Sequence, residues 1–199
     1  YSGEGGMRVP MIVAGASLSR QGVLSDAFSF VTDITPTILA LGGIDFPQGR
    51  YGGKPVEPIV GRDLSPVLRG DAGRIYGDND AVGYELAGNA ALFMGDYKIV
   101  FNRPPLGDGR WHLFNIKTDP GETRDLSAEL PAQLQTMLGA YEQYAADNHV
   151  LPMPVGYDHI KQLALNVTRK GIKAPFLIAL LTLLMLLPFY VAYRMKLGR

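Results

Sequence analysis

The chain has 199 residues, is 47% hydrophobic and carries 19 Lys+Arg against 19 Asp+Glu. That composition is ordinary for a globular protein and gives enough chain for one modest core with an appendage. The balanced charge supplies no field for nucleic acid or an acidic polymer, so nucleic acid is not an expected partner. The lack of cysteine removes disulfides, thiolate metal sites and a cysteine nucleophile while leaving the compartment open.

Taken in chain order, Tyr1 to Gly6 holds no basic segment followed by an apolar run, so no signal peptide is expected there. The glycine-rich opening that leads straight into apolar residues reads as the interior of a domain and predicts an upstream portion. Met7 to Ala14 is a short apolar run that predicts a strand buried on both faces, and Phe28 to Val31 a second strand. Asp33-Ile34-Thr35-Pro36, followed by Thr37 to Leu41 and Gly42-Gly43, has a capping residue, an early proline and a terminal glycine, which predicts a short helix capped by Asp33. Tyr51 to Glu57 reads as loop, and Leu64 to Leu68 as a helical turn begun near Asp63 and stopped at Gly70.

From Val82 to Ile116 the texture changes to short β-runs separated by turn pairs. The runs are Val82 to Leu86, Ala90 to Met94, Tyr97 to Phe101 and Trp111 to Ile116, with turns at Gly88-Asn89 and Gly95-Asp96, and they predict an antiparallel meander. After a reverse turn at Asp119-Pro120-Gly121-Glu122, the residues Leu130, Leu134, Met137, Leu138, Tyr141 and Tyr144 recur at helical spacing. This predicts an amphipathic helix over one face of the meander, with Trp111, Phe114, Tyr97 and Leu134 in a single small core. Leu151 to Gly171, with Pro152, Pro154 and Gly156, reads as a linker, part of it helical. Asn166-Val167-Thr168 matches a glycosylation sequon, a three-residue pattern that also arises by chance. From Ala174 to Tyr193 there are 20 consecutive residues without a charge, enough at about 1.5 Å per residue to cross a hydrocarbon core of about 30 Å. Pro188 lies inside this transmembrane helix, and Tyr190 and Tyr193 sit where an aromatic belt is expected. Lys161, Arg169, Lys170 and Lys173 precede the span while Arg194, Lys196 and Arg199 follow it. The short basic tail favours a cytoplasmic C-terminus and a periplasmic or other extracytoplasmic domain.

The order of motifs resembles the C-terminal part of bacterial arylsulfatases, in the sulfatase family of the alkaline-phosphatase-like superfamily. The matching segments are Glu4-Gly5-Gly6-Met7-Arg8-Val9-Pro10, Val31-Thr32-Asp33-Ile34-Thr35-Pro36-Thr37, Gly61-Arg62-Asp63-Leu64 and Gly95-Asp96-Tyr97-Lys98-Ile99-Val100. They continue with Leu113-Phe114-Asn115-Ile116 and Asp119-Pro120-Gly121-Glu122-Thr123-Arg124-Asp125-Leu126, so the resemblance covers roughly Glu4 to Val150. It implies an α/β protein, α+β within this chain: residues 1–75 the edge of an alkaline-phosphatase-like sandwich, and 76–150 a small antiparallel sheet with one packed helix. The linker at 151–173, the transmembrane helix at 174–193 and the basic tail at 194–199 lie outside it. The resemblance also implies a formylglycine nucleophile, a calcium-type ion and cationic sulfate-binding residues, all upstream of Glu4. No catalytic, cofactor-binding or metal residue is therefore expected within the chain.

Four residues stand out as cleft-rim or structural candidates. Glu4 and Arg8 flank a Gly-Gly turn and either border an anionic substrate or form a structural ion pair between turn and strand, the latter favoured. Glu85 falls in a segment that in similar proteins lies near the cleft mouth, with rim structure the preferred role. His112, beside Trp111, either faces the cleft or packs in the sheet. His149 and His159 have no ligand spacing, and Asp78-Asn79-Asp80 lacks the later glycine and glutamate of a calcium loop. Gly3, Gly5 and Gly6 do not make a phosphate loop, because no Lys-Ser/Thr follows.

Three functions are compatible with these features. The first is a membrane-anchored sulfatase acting on small aryl or related sulfate esters; the second is a phosphonate or phosphate ester hydrolase of the same superfamily. The third is a non-catalytic, membrane-tethered binding module. The truncated-enzyme readings predict exposed apolar edges at Val9 to Val13, whereas a free-standing module predicts a self-contained fold.

Overall fold

In the computed structural model the described residues are 2–15, 18, 22–47 and 49–198, with the backbone alone described at 159 and 169–174. The chain divides into two compact units, Tyr1–Leu151 and Pro152–Arg199.

The first unit is built on a four-stranded antiparallel meander in sequence order, following the two-residue hairpin β1 (Arg50–Tyr51) and β2 (Lys54–Pro55). Its strands are β3 (Ala81–Leu86), β4 (Asn89–Met94), β5 (Tyr97–Phe101) and β6 (Trp111–Asn115). The β4–β5 turn is at Gly95, whose φ of 59° only glycine adopts without strain. The β3–β4 turn falls one residue earlier than its Gly-Asn pair suggested: Ala87 and Gly88 carry the positive φ values, and Asn89 already pairs with Leu86. Asn89 is held there because its side chain donates to the Leu86 carbonyl and accepts from the Arg103 backbone N–H.

Register sets the two faces. Gly83, Leu92, Ile99 and Leu113 form one cross-strand row, and α4 (Pro131–Asp147) covers it by placing Met137 among Leu92, Ile99 and Leu113. Leu134, Leu138, Tyr141 and Tyr144 flank that contact. The Tyr144 ring fills the space over Gly83, where a Cβ would stand 2.4 Å from the ring. The opposite face carries the row Val82, Phe93, Lys98 and Phe114. Residues from the first third of the chain cover it: Phe28 lies 5.0 Å from the Phe93 ring and 5.4 Å from the Tyr76 ring. β4 is consequently buried along its whole length.

Phe114 corrects the expected core. It stands three residues from Trp111, an odd number, and strand alternation sends it to the face away from α4. Trp111, Tyr97 and Leu134 pack with the Met137 core as expected.

The first third departs further from expectation. Met7 to Ala14 forms no strand: the one-turn helix α1 (Glu4–Met7) gives way to unpaired backbone, with Val9 76% and Ile12 93% exposed. A two-sided strand needs partners on both edges, and the described residues supply none. Phe28 to Phe30 is likewise unpaired and leads into a 3-10 turn at Val31–Asp33. The loop expected at Tyr51 to Glu57 contains part of the β1–β2 hairpin. The predicted helices form as α2 (Ile34–Leu41) and α3 (Ser65–Arg69), the latter stopped by Gly70 at φ 87°. The Asp33 carboxylate, however, makes no cap hydrogen bond to α2. Fully buried, it accepts from the backbone N–H groups of Phe30 and Arg62 and from the Tyr76 hydroxyl at 2.6 Å. Thr37 extends the node, donating to the Asp33 carbonyl and accepting from Leu64 N–H. Gly61 passes so close that a Cβ would stand 2.0 Å from the Thr32 carbonyl oxygen.

The second unit is dominated by one helix, α5 (His159–Leu197), begun by Asp158, whose side chain accepts from the N–H groups of Ile160 and Lys161. It starts inside the stretch read as linker and continues through Pro175 and Pro188. Pro175–Leu197 is long and apolar enough to cross a membrane and is a candidate anchor. Tyr1, Arg199 and the side chains of His159, Arg169, Lys170 and Lys173 lie outside the described residues.

Candidate functional site

On the sheet face away from α4, the chain brings three of its motifs together at one buried ion cluster. The Lys98 ammonium is fully buried, 2.8 Å from Glu4 Oε1 and 2.9 Å from Glu122 Oε1, and 4.9 Å from the Phe93 ring centroid. The other Glu122 oxygen accepts from the Glu4 backbone N–H at 2.8 Å. Glu122 reaches this position with a φ of 53°, a left-handed conformation that costs a non-glycine residue of order 1–2 kcal/mol and persists where surrounding contacts hold it. The preceding turn is fixed by Asp119, whose carboxylate accepts from the N–H groups of Thr123 and Arg124. Lys98 therefore ties α1, β5 and the turn at 119–122 into one knot.

This corrects the expected Glu4–Arg8 pair. Glu4 turns inward to Lys98, while Arg8 is exposed and contacts Glu4 through its backbone N–H. The position of Glu4 and Arg8 on either side of a Gly-Gly pair suggests a local ion pair that the structure does not form. The distant lysine was visible only as part of a separate motif.

Beside the knot lies a cleft of about 470 Å³, lined by Gly3 and Gly5, by Asn102, Gly107 and Asp108 of the β5–β6 loop, by His112 and Phe114, and by Glu122. His112 sits between two carboxylates, with Nδ1 2.8 Å from Asp125 Oδ2 and Nε2 3.0 Å from Asp108 Oδ1. Its ring stacks on Phe114 at 6.3 Å. Partial burial opposes a charge on the ring, but the hydrogen bonds to Asp108 and Asp125 outweigh it and raise the pKa of His112 above the ordinary imidazole value. Burial likewise works against the Asp125 carboxylate, yet its bonds from Ser127, His112 and the Leu113 N–H bring its pKa down to about 2. The His112 bond lowers the Asp108 pKa as well.

Glu85 lies on the other face, where it accepts from the Tyr141 hydroxyl on α4. Burial and this bond push the Tyr141 hydroxyl well above its usual pKa. Of the four candidates His112 lines the cleft; Glu4 does not, but its backbone N–H donates to the lining residue Glu122, and Arg8 and Glu85 do not line it. The participation of Asp108, Asp125 and Lys98 is not legible in the sequence: Lys98 meets Glu4 across 94 residues, and nothing marks which of the several acidic residues near His112 turn toward it, the two that do lying four and thirteen positions away. Among the described residues no three His, Asp or Glu side chains converge as metal ligands. The donor set here does not fit a calcium-type ion, and no chemical step is assigned to one.

No family model matches the chain. It is 30% identical over 152 residues to an uncharacterized sulfatase of Schizosaccharomyces pombe, covering 76% of this chain and 27% of that protein. Mouse steryl-sulfatase is 29% identical over 175 residues, covering 71% of this chain and 26% of the enzyme. An arylsulfatase of Klebsiella aerogenes is 32% identical over 66 residues, covering 33% and 14%. Among solved structures, BT4656 with its substrate D-glucosamine-2-N,6-O-disulfate has a TM-score of 0.45 at 22% identity, covering 61% of this chain and 25% of that one. Ps i-CgsB has 0.46 at 23%, covering 61% and 25%. The chain spans about a quarter of the length of the first two curated relatives it matches. With its motif order set beside these relatives, the chain is a homologue of sulfatases and resembles their C-terminal part.

Proposed function

We propose that this chain is the C-terminal portion of a membrane-anchored sulfatase hydrolysing aryl or related sulfate esters, with the catalytic residues on the portion upstream of Glu4. The observation that supports this reading is the unpaired apolar stretch after α1. Val9, Met11, Ile12 and Val13 are all exposed, along backbone that pairs with no other strand among the described residues. Such a run is costly in water and suits a strand enclosed on both faces by a larger sheet. Val31, Ile34 and Ile38 add an exposed apolar stripe on the turn and helix of α2. A free-standing binding module would have little use for this much uncovered apolar surface.

In this reading a formylglycine and a calcium-type ion, both held upstream of this chain, would supply the nucleophile and part of the positive charge. Sulfate-ester cleavage calls for a strong nucleophile and concentrated positive charge around the sulfate oxygens. The cleft described above is rich in acceptors and offers neither, which favours a rim or scaffold role for Glu4 and His112 and structural roles for Arg8 and Glu85. α5 is assigned as a single-pass anchor with the enzyme on the extracytoplasmic side. The rival reading, a phosphonate or phosphate ester hydrolase, differs in the upstream nucleophile.

The docking half of this proposal is tested by hydrogen exchange. In the 199-residue chain the amides of Val9 to Val13 should exchange at nearly unprotected rates, and in the protein extended upstream they should become protected. Equal, rapid exchange in both would contradict it.

A further inference from the structure

The β5–β6 loop leaves the sheet at Asn102 and returns at Arg110, and it supplies Asn102, Gly107 and Asp108 to the cleft wall. At its start the loop is tied down by Arg103 N–H, which donates to the Asn89 side chain, and by Ser2 N–H, which donates to that of Asn102. Beyond these, Leu106 and Gly107 donate to the Arg103 carbonyl, Gly109 to that of Asn102, and Arg110 N–H to Asp108 Oδ1. His112 reaches out from β6 to fix the loop through Asp108 and, on its other nitrogen, holds Asp125. Two carboxylate acceptors, one on each ring nitrogen, require both nitrogens to carry hydrogen, which only the imidazolium does.

We infer that His112 is a proton-operated latch for this loop, closing the cleft wall as the imidazolium and releasing Asp108 when the ring loses its proton. The neutral ring keeps one N–H. Asp125 retains it, because its carboxylate is the less exposed of the two (41% against 51%) and is further fixed by donors from Ser127 and the Leu113 N–H. The proton leaves Nε2 for solvent, a nitrogen lone pair then faces the Asp108 carboxylate, and attraction becomes repulsion. The charges acting on the ring are those of Asp108 from the loop and Asp125 from the segment after β6. Of the other elements around the cleft, α1 and the residue before it contribute Gly5 and Gly3, which carry no charge. The turn at 119–122 contributes Glu122, and its carboxylate is engaged by Lys98. The raised pKa of His112 agrees with this arrangement and moves release toward neutral and higher pH.

The test is NMR on the full chain in detergent micelles, following the His112 ring and the exchange protection of the Gly107 and Gly109 amides, corrected for intrinsic rates, between pH 5 and 9. The latch predicts that both amides lose protection with the midpoint of the ring titration, by about three- to tenfold, the range set by one hydrogen bond of ordinary net strength. It also predicts that Asp108→Asn lowers the ring midpoint and makes loop protection independent of pH. Constant loop protection while the ring titrates, a ring that stays neutral throughout, or an unchanged midpoint in the variant would each overturn it.

Discussion

At the scale of single residues, the strongest commitments are buried charges. Lys98 has no water to turn to, so Lys98→Met leaves Glu4 and Glu122 buried without a counter-charge and should destabilise the fold by about 3–5 kcal/mol. Removing all three charges together, by Lys98→Met with Glu4→Gln and Glu122→Gln, should cost less than the single change. Denaturant unfolding of both variants measures this, and a larger loss in the triple variant would contradict it. Gly61→Ala should destabilise by about 1–3 kcal/mol through overpacking against the Thr32 carbonyl. The acid limb of stability carries a sign that follows from the pKa shifts. Asp125, depressed to about 2, contributes above the unfolded carboxylate value of about 4, and the contribution fades as pH falls toward 2. His112, raised, contributes below about pH 6.5 and loses that contribution as pH rises through its folded value. Stability from this cluster should therefore be greatest between about pH 4 and 6.5, and Asp125→Asn should flatten both limbs in a thermal-melt pH series; because both groups are partly exposed, the effect is modest.

Elements were read with uneven success, and the reasons are physical. Local signals carried well. Gly95-Asp96 placed a hairpin, Gly70 stopped α3, and the spacing from Leu134 to Tyr144 gave α4 with its correct inward face. Phe114 departs from the expected core because its distance of three residues from Trp111 sends it to the opposite face of the strand. The segment after α1 failed as a strand because pairing is non-local, and hydrophobicity alone supplies no partner. The Asp33 carboxylate looks like a helix cap because its sequence position is that of one, yet two remote residues, Arg62 and Tyr76, claim it. The candidate site was the least legible part, since Lys98–Glu4 joins residues 94 positions apart and the His112 partners lie in loops whose course one sequence does not fix. Where α4 meets the sheet, Met137→Ala should cost about 2–5 kcal/mol, as its side chain is fully buried among Leu92, Ile99 and Leu113. Trp111, packed on Tyr141 at 4.7 Å and Phe101 at 5.5 Å, should emit at a blue-shifted wavelength that moves red on unfolding. An emission spectrum of exposed indole in the folded chain would contradict that packing.

At the scale of the whole molecule, the apolar helix Pro175–Leu197 is uncovered, and the first third of the folded unit leaves apolar surface bare. The chain should stay with membranes through carbonate extraction, and cleavage after about Tyr157 should release the unit that ends at Leu151. Recovery of the intact chain in the soluble fraction would remove the anchor. The central claim, that this chain completes a sulfatase without containing its active site, is met most directly by turnover of a chromogenic aryl sulfate, with an aryl phosphate as control. The measurement compares the 199-residue chain with the protein extended upstream and coexpressed with a formylglycine-generating activity. The account predicts no turnover by the chain alone and calcium-dependent sulfate release by the extended protein. Turnover by the chain alone would contradict it, as would an extended protein that cleaves the phosphate and leaves the sulfate intact.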